Sequence, residues 1–291
     1  MDIGRRGYGT ESSNEPTRQT SVAVVVPTRN SARTLNACLL SLTAQSEPCQ
    51  IVVVDNFSSD NTLKIAEQSA DYVLTAGPER SAQRNIGAAV LDVDIIGFID
   101  SDMIVSSSVV AQAVAAIQSG AGAVVVPERT IGTGFWAKVR AFERSFYLGL
   151  EDVEAARFFR ANVFNAVGGF DEALNAGEDW DLTIRVRAVA PVERCEAFID
   201  HDEGHVTYLA DCRKKSQYAT GIRDFTRKHG AAALLKAGNR PYLREPTLLV
   251  WPHPILGLGL FLLKLGEVVA GLFALGKQSV TKPVARVSSR K

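Results

Sequence analysis

Short runs of β-branched residues alternate along the chain with stretches whose apolar positions recur every three or four residues. Residues 22–26 are apolar throughout, which suits a strand buried on both faces. Leu35, Cys38, Leu39 and Leu42 then fall at i, i+3, i+4 and i+7, one face of a helix. Residues 51–54 predict a second buried strand. A helix through Leu63 and Ala66, a strand over 72–74 and a helix through Ala82, Ile86 and Val90 follow. A strand over 95–99, a helix over 109–117 and a strand over 123–126 continue the series. Leu182, Val186 and Val189 mark a further amphipathic helix, and residues 192–199 read as one strand leading to His201-Asp-Glu-Gly-His205. This alternation predicts an α/β fold, a mainly parallel sheet flanked by helices with right-handed crossovers.

Ligands of such sheets collect beyond the carboxyl ends of the strands. Those ends are polar here: Pro27-Thr-Arg-Asn30, Asp55-Asn-Phe-Ser-Ser-Asp60, Asp100-Ser-Asp102 and Pro127-Glu-Arg129. Asp100 and Asp102 place two like charges at the end of a buried strand, which is costly without a counter-charge. A divalent metal answers that need; a solvated turn that happens to hold two aspartates is the plainer alternative. Glu178, Asp179 and Asp181 open a helix after Gly177. Acids there stabilise the helix dipole by about 0.3–1 kcal/mol each, yet three in four positions exceed what capping needs. Such a cluster can also raise one member's pKa and make a general base. Arg80 and Arg84 share a helix face and suit a diphosphate, or else pair with Glu79 at the surface. His201, at a strand terminus, is a better metal-ligand candidate than His205, although either imidazole also fits an ordinary surface hydrogen bond.

Composition narrows the class. A hydrophobic share of 46% with 22% charged residues excludes wholesale disorder. Lys+Arg and Asp+Glu both number 32, so no global basic surface for nucleic acid exists. Cys38, Cys49, Cys195 and Cys212 have no metal-like spacing, and reduced thiols are expected. Residues 1–20 read as a disordered lead-in; Arg5 and Arg6 precede no apolar core, so no signal peptide is expected. The pattern organises the rest as a catalytic domain over 21–210, basic-aromatic and apolar membrane-associating helices over 211–276, and a basic tail over 277–291. The apolar stretch 255–275 approaches the ~20 residues that span a bilayer, but Lys264, Glu267 and several glycines interrupt it. Its basic flank marks the cytoplasmic side, where the catalytic domain is also expected, so a helical hairpin or an in-plane amphipathic element is favoured over one crossing. A helix packed on the catalytic domain or in a dimer contact is the bland alternative. Gly271-Leu-Phe-Ala-Leu-Gly276-Lys277-Gln278 imitates a P-loop but lacks the preceding strand and the final Ser/Thr, and no G-x-G-x-x-G follows the first strand.

In order, Val26-Pro-Thr-Arg-Asn30, Val54-Asp-Asn-Phe-Ser-Ser-Asp-Asn-Thr62, Phe98-Ile-Asp-Ser-Asp102, Gly168-Gly-Phe-Asp-Glu172 and Gly177-Glu-Asp-Trp-Asp-Leu182 resemble the family-2 glycosyltransferases of the GT-A fold. The resemblance covers residues 22–205 and, more weakly, continues to about Gly230. It implies a nucleotide-sugar donor and a Mn²⁺ or Mg²⁺ cofactor. Thr28, Arg29, Asn30 and Asp55 are implied to line the base and ribose pocket, with Arg84 near the donor and Asp100 near the ribose or metal; Pro27, Arg80 and Ser101 join them as donor-binding candidates. Asp102 is the implied metal ligand, with His201 as the candidate imidazole, and Asp179 is the implied catalytic base, with Glu178 beside it as a candidate. Asn56 stands where the family usually has a second acid, which alters base recognition. The implied reaction is an inverting in-line displacement at the cytoplasmic membrane face. A lipid-linked glycan or glycolipid is the expected acceptor, a polyprenyl phosphate its rival, and homo-oligomerisation is left open. A non-catalytic sugar-nucleotide sensor or scaffold would be expected to lack Asp102 and Asp179, and both are present.

Overall fold

The computed structural model describes residues 19–151, 153–237, 241–249, 251 and 253–280. The expected lead-in over 1–18 and the tail from residue 281 lie outside the described residues. β1 (Val22–Thr28) is buried at every position, as its apolar run requires. α1 (Leu35–Thr43) buries Leu35, Cys38, Leu39 and Leu42, the face marked by their spacing. β2 (Gln50–Asp55), α2 (Thr62–Ser69), β3 (Tyr72–Thr75), α3 (Arg80–Ala88) and β4 (Ile95–Phe98) keep the alternation. β5 (Met103–Val105), α4 (Val109–Gln118), β6 (Ala123–Val125), β7 (Glu128–Thr133), α5 (Phe135–Ser145), β8 (Ala156–Arg160) and α6 (Ala161–Ala166) come next. α7 (Glu178–Arg187), β9 (Val192–Arg194), β10 (Ile199–His205), α8 (Tyr208–Ala237), α9 (Pro241–Arg244), a 3₁₀ turn (Pro246–Leu249) and α10 (Pro254–Val280) complete the described chain.

Seven strands form one sheet in the order β3-β2-β1-β4-β8-β6-β9, parallel except that β8 runs against both neighbours. Chain order reverses between β1 and β4, the switch point where such sheets open a crevice. Phe158 of β8 joins the core beneath α1 and α4, and Phe159 joins the opposite core beneath α6 and α7, as a strand's two-residue alternation demands. β8 escapes a hydrophobicity reading because arginines flank its aromatic pair on both sides. A second sheet, β5-β10-β7, sits beside the first and sets His201 opposite both Met103 and Thr130.

Two expectations need correction. The strand predicted over 192–199 is two strands, since β9 pairs with β6 in the large sheet whereas β10 crosses to the small one. On α3 the predicted face holds at Ala82 but not at Ile86, which is 39% exposed, while Gln83 and Arg84 are buried. Gly87 sets that orientation, because a Cβ there would lie 2.4 Å from Val25 Cγ1. The helix settles against β1 where it has no side chain and turns polar residues inward.

The C-terminal apolar segment is one continuous helix, α10, and not a hairpin. Its interrupting charges face inward. Lys264 Nζ lies 2.5 Å from Glu143 Oε1, and Arg140 Nη2 lies 2.8 Å from Glu267 Oε1 and 2.6 Å from Asp211 Oδ2. Its glycines mark close approaches: a Cβ on Gly266 would fall 2.1 Å from the Tyr208 hydroxyl oxygen. The outward face holds Ile255, Leu258, Phe261, Leu262, Leu265, Val268, Val269, Leu272 and Phe273, all exposed. A helix with charges inside and aliphatic side chains outside inverts the usual pattern.

Burial opposes ionisation of Glu143, but Lys264 and Arg140 outweigh it and hold its carboxyl at about 2, below its ordinary 4.5. A depressed folded pKa stabilises above the unfolded value, and that stabilisation fades as pH falls from about 4.5 towards 2. Glu143→Gln should therefore cost about 1.5–3 kcal/mol at pH 7, as for other hydrogen bonds to charged groups, and much less at pH 2.5. Urea titrations followed by tryptophan fluorescence at the two pH values check this; equal losses at both would contradict it.

Candidate active site

Beyond the ends of β1 and β4 lies a cavity of about 260 Å³, lined by Pro27, Thr28, Arg29, Gln83, Ser101, Asp102 and Lys214. A second cavity of about 470 Å³ extends from it towards α7, with Glu178 and Asp179 on its floor. Arg80, Asp100 and His201 line both. Asp102 and Asp179 thus face adjoining spaces, not opposite sides of the molecule.

Three successive residues of α3 assemble this edge. Gln83 donates its amide to Val54 O (2.6 Å) and Thr28 O (3.1 Å), fixing the ends of β1 and β2. Asn85 donates to Phe170 O and accepts from Phe170 N, both at 2.9 Å. That anchors the Gly168-Gly-Phe170 turn, where Gly169 takes φ 65° and a Cβ would meet Asn85 Oδ1 at 2.8 Å. Between them Arg84, 0% exposed, reaches Asp100 Oδ1 (2.7 Å), Asp179 Oδ1 (3.0 Å) and Glu178 Oε1 (3.3 Å). Its guanidinium lies 5.0 Å from the Phe170 ring centre. Arg84, expected near the donor, is thus committed to three carboxylates and lines neither cavity. Arg80, with 45% of its side chain exposed, is the guanidinium presented to both cavities; it also meets Glu178 Oε1 at 3.3 Å.

Arg157, which the sequence did not single out, completes the floor. Its Nη1 is 3.6 Å from both Asp100 Oδ2 and Asp179 Oδ2, and its Nη2 is 2.5 Å from Glu128 Oε1. Burial opposes the charge of Asp100, but Arg84 and Arg157 hold its carboxyl well below the usual carboxylate range. Glu128 is likewise held far down against burial, chiefly by Arg157. Glu178 goes the other way, raised by burial and by the neighbouring Asp179. A cation inside an otherwise aromatic strand was the available signal for Arg157.

His201 Nε2 lies 3.2 Å from Asp102 Oδ2, and Nδ1 lies 3.7 Å from Glu128 Oε2. Burial disfavours its charged form, yet the carboxylates of Asp102 and Glu128 raise its pKa to about 9. His205 stays outside, 3.3 Å from Thr133 Oγ1. Thr28 Oγ1 is buried at the smaller cavity without a hydrogen-bond partner, a vacant valence suited to a ligand.

Other expected positions make contacts within the chain. Asp55 accepts from Ser58 N (2.9 Å) and Ser58 Oγ (2.5 Å), and Asn30 accepts from Ser59 N (2.9 Å). Asn30 ties the loop after β1 to the loop after β2, Asp55 closes the turn at the end of β2, and neither lines either cavity. Asn56 donates to Pro78 O at 2.6 Å, so its amide holds a loop. Asp181, fully buried, binds Arg185 (2.7 Å), Lys228 (2.8 Å) and His229 (2.6 Å), which separates it from Glu178 and Asp179.

A switch-point cleft with carboxylates on both of its halves, on a mixed sheet of this order, defines a GT-A-type α/β fold. Solved structures share it. The structure of S. aureus TarS 1-349 in complex with UDP-GlcNAc matches with a TM-score of 0.53 at 17% identity, over 90% of this chain and 92% of that one. Mannosyltransferase PcManGT from Pyrobaculum calidifontis, in complex with GDP-Man and Mn2+, matches with a TM-score of 0.54 at 17% identity, over 93% and 78%. The chain belongs to glycosyl transferase family 2, whose model matches residues 23–170. The pre-mycofactocin glycosyltransferase of Mycobacterium tuberculosis is 27% identical, covering 82% of this chain and 53% of its own length. The succinoglycan biosynthesis protein ExoA of Rhizobium meliloti is 28% identical over 60% of each. The chain thus spans about half to three-fifths of the length of these relatives.

Arg84→Lys keeps one charge but cannot fork to three carboxylates. It should lower kcat by about 100-fold, the effect of a ~1 Å misplacement, while the donor KM moves less than about threefold. Steady-state nucleotide release against donor concentration separates the two; a rise in KM that accounts for the whole loss would show Arg84 to be a donor ligand.

Proposed function

We propose that this protein transfers a sugar from a nucleoside-diphosphate donor to a hydroxyl of a lipid-linked glycan or glycolipid, with inversion, at the cytoplasmic face of a membrane. The observation that carries this reading is the pair of joined cavities, one bearing Asp102 and the other Asp179, with Arg80, Asp100 and His201 between them. The donor's nucleotide belongs in the smaller one, where Thr28 offers an unpartnered hydroxyl. The UDP-GlcNAc and GDP-Man complexes of the structural relatives support a nucleotide-sugar as the donor.

Among the described residues no group of three or more His, Cys, Asp or Glu is arranged to hold a metal ion alone. Asp102 nevertheless suits Mn²⁺ or Mg²⁺ if diphosphate oxygens and water fill the remaining positions, as hard cations prefer, and His201 would join it only on giving up the proton that its carboxylate neighbours hold there. The ion would supply positive charge against the leaving diphosphate. Arg84 and Arg157 grip the Asp179 carboxylate, which lies on the acceptor side and takes the hydroxyl proton. The acceptor oxygen then attacks from the face opposite the leaving group, which inverts the anomeric centre. Trp180 and Leu148 wall this space and keep bulk water from competing.

The membrane part of the proposal rests on the outward face of α10, on exposed Arg213, Lys214, Arg223 and Arg227 of α8, and on the basic composition of residues 277–291. Together these offer an in-plane apolar element beside cationic groups.

Asp179→Asn should reduce turnover by about 10²–10⁴-fold, the usual worth of a general base. Stabilisation by UDP or GDP with Mn²⁺ should persist in thermal unfolding, because nucleotide binding does not use Asp179. A variant keeping a tenth or more of the activity would end the base assignment. In co-sedimentation with vesicles containing anionic phosphatidylglycerol, the full chain should pellet, and exchanging Leu258, Leu265 and Leu272 together for Ser should release it. A wild-type chain that stays in the supernatant at every lipid composition contradicts the membrane placement.

A further inference from the structure

The walls and the floor of the larger cavity are chemically unlike each other. Its walls include Val126, Tyr147, Leu148, Val153, Trp180 and Ile222. Trp180 is locked in place: its indole N–H donates to Val153 O at 2.9 Å, and its ring meets Phe225 with centroids 6.1 Å apart. The only polar atom of that side chain is thus satisfied by the protein, and what remains towards the cavity is apolar ring. Trp180 follows Asp179 directly on α7, so this surface stands next to the expected base. At about 470 Å³ the space falls within the usual 300–1,000 Å³ of small-molecule sites, with room beside the transferred sugar.

The floor carries many charges, all of them matched. Arg144 and Arg157 each approach Glu128 at 2.5 Å, Arg157 also faces Asp100 and Asp179 at 3.6 Å, Arg80 meets Glu178 at 3.3 Å, and His201 meets Asp102 at 3.2 Å. A phosphate entering here finds each cation already committed to a carboxylate, and it must approach Asp179 and Glu178, which share its sign. A neutral hydroxyl meets no such barrier and can donate its proton to Asp179.

Resting on the transferase reading above, we infer that the acceptor presents an uncharged hydroxyl on an apolar skeleton, not a phosphate oxygen, and that this skeleton lies against Trp180, Leu148 and Ile222. In the step this serves, the acceptor O–H bond breaks and its proton goes to the Asp179 carboxylate. The oxygen forms a bond to the anomeric carbon, and the bond from that carbon to the diphosphate breaks, its electron pair leaving on the phosphate oxygen. The polyprenyl-phosphate acceptor is thereby disfavoured against a glycolipid or another amphiphilic alcohol.

The test uses the full chain with Mn²⁺ and whichever of UDP or GDP stabilises it. Three probes are compared by calorimetry: octyl β-D-glucopyranoside below its micellar concentration, methyl β-D-glucopyranoside and octyl phosphate. The octyl glucoside should bind about tenfold or more tighter than either other probe, about 1.4 kcal/mol or more. Trp180→Ala should remove most of that advantage, and Leu148→Ser, chosen because Leu148 is exposed at the cavity wall and its loss should leave folding intact, should remove part of it. Octyl phosphate binding as tightly as the glucoside would overturn the inference, as would a methyl glucoside of equal affinity or indifference to both substitutions. The order of the probes is read at equilibrium, so it stands apart from turnover; a wild-type chain from which neither UDP- nor GDP-sugars release nucleotide removes the transferase reading itself.

Discussion

One buried guanidinium organises the cleft. Arg84 has no contact with water, and it joins α3 to the end of β4 and to the first turn of α7 through three carboxylates. Without it Asp100, Glu178 and Asp179 would repel one another across the mouth of the site, and α7 would have no ionic reason to begin there. Buried ion pairs add little net stability, since desolvation offsets much of their attraction, but removing one partner strands the others at high cost. What the arrangement contributes is position: the carboxylate proposed as base is held to within a hydrogen-bond length by a fully buried residue. Arg157 repeats the logic from β8 and extends it to Glu128.

The same separation between holding and reacting explains the residues around Arg84. Gln83 and Asn85 spend their amides on backbone groups of β1, β2 and the Phe170 turn. Asn30, Asp55 and Asn56 likewise bind loops together. A polar motif at a strand end is therefore not one pocket wall. Part of it is scaffold, and the remainder (Thr28, Arg29, Arg80, Ser101 and Asp102) lines the smaller cavity.

Much of this was legible in the sequence because the strongest signals are local. The apolar runs of β1, β2 and β4 announced a parallel sheet, and their polar ends announced its working edge. Periodicity failed where a long-range constraint overrode it. β8 was hidden because Arg157 and Arg160 belong to tertiary ion pairs and hydrogen bonds that a local window cannot see. The face of α3 was misjudged because polar side chains point inward there to serve partners about 16, 29 and 94 residues away. Asp181 looked equivalent to Glu178 and Asp179 by spacing, but the helix carries it round to α8 and to Lys228 and His229. The charges on α10 looked like interruptions of an apolar segment, and only the packing shows that they face inward.

α5 joins these two ionic systems. Over a single turn, Arg140 and Glu143 bind α10 through Glu267 and Lys264, while Arg144 reaches Glu128 on the floor of the larger cavity. Positions three and four apart share a helix face, so one face of α5 serves both partners, Arg144 one turn beyond Arg140. A rigid helix held by both along that face fixes the distance between them. The exposed apolar face of α10 and the carboxylates of the cleft are consequently parts of one frame, and whatever surface seats α10 also sets how the larger cavity is presented to it.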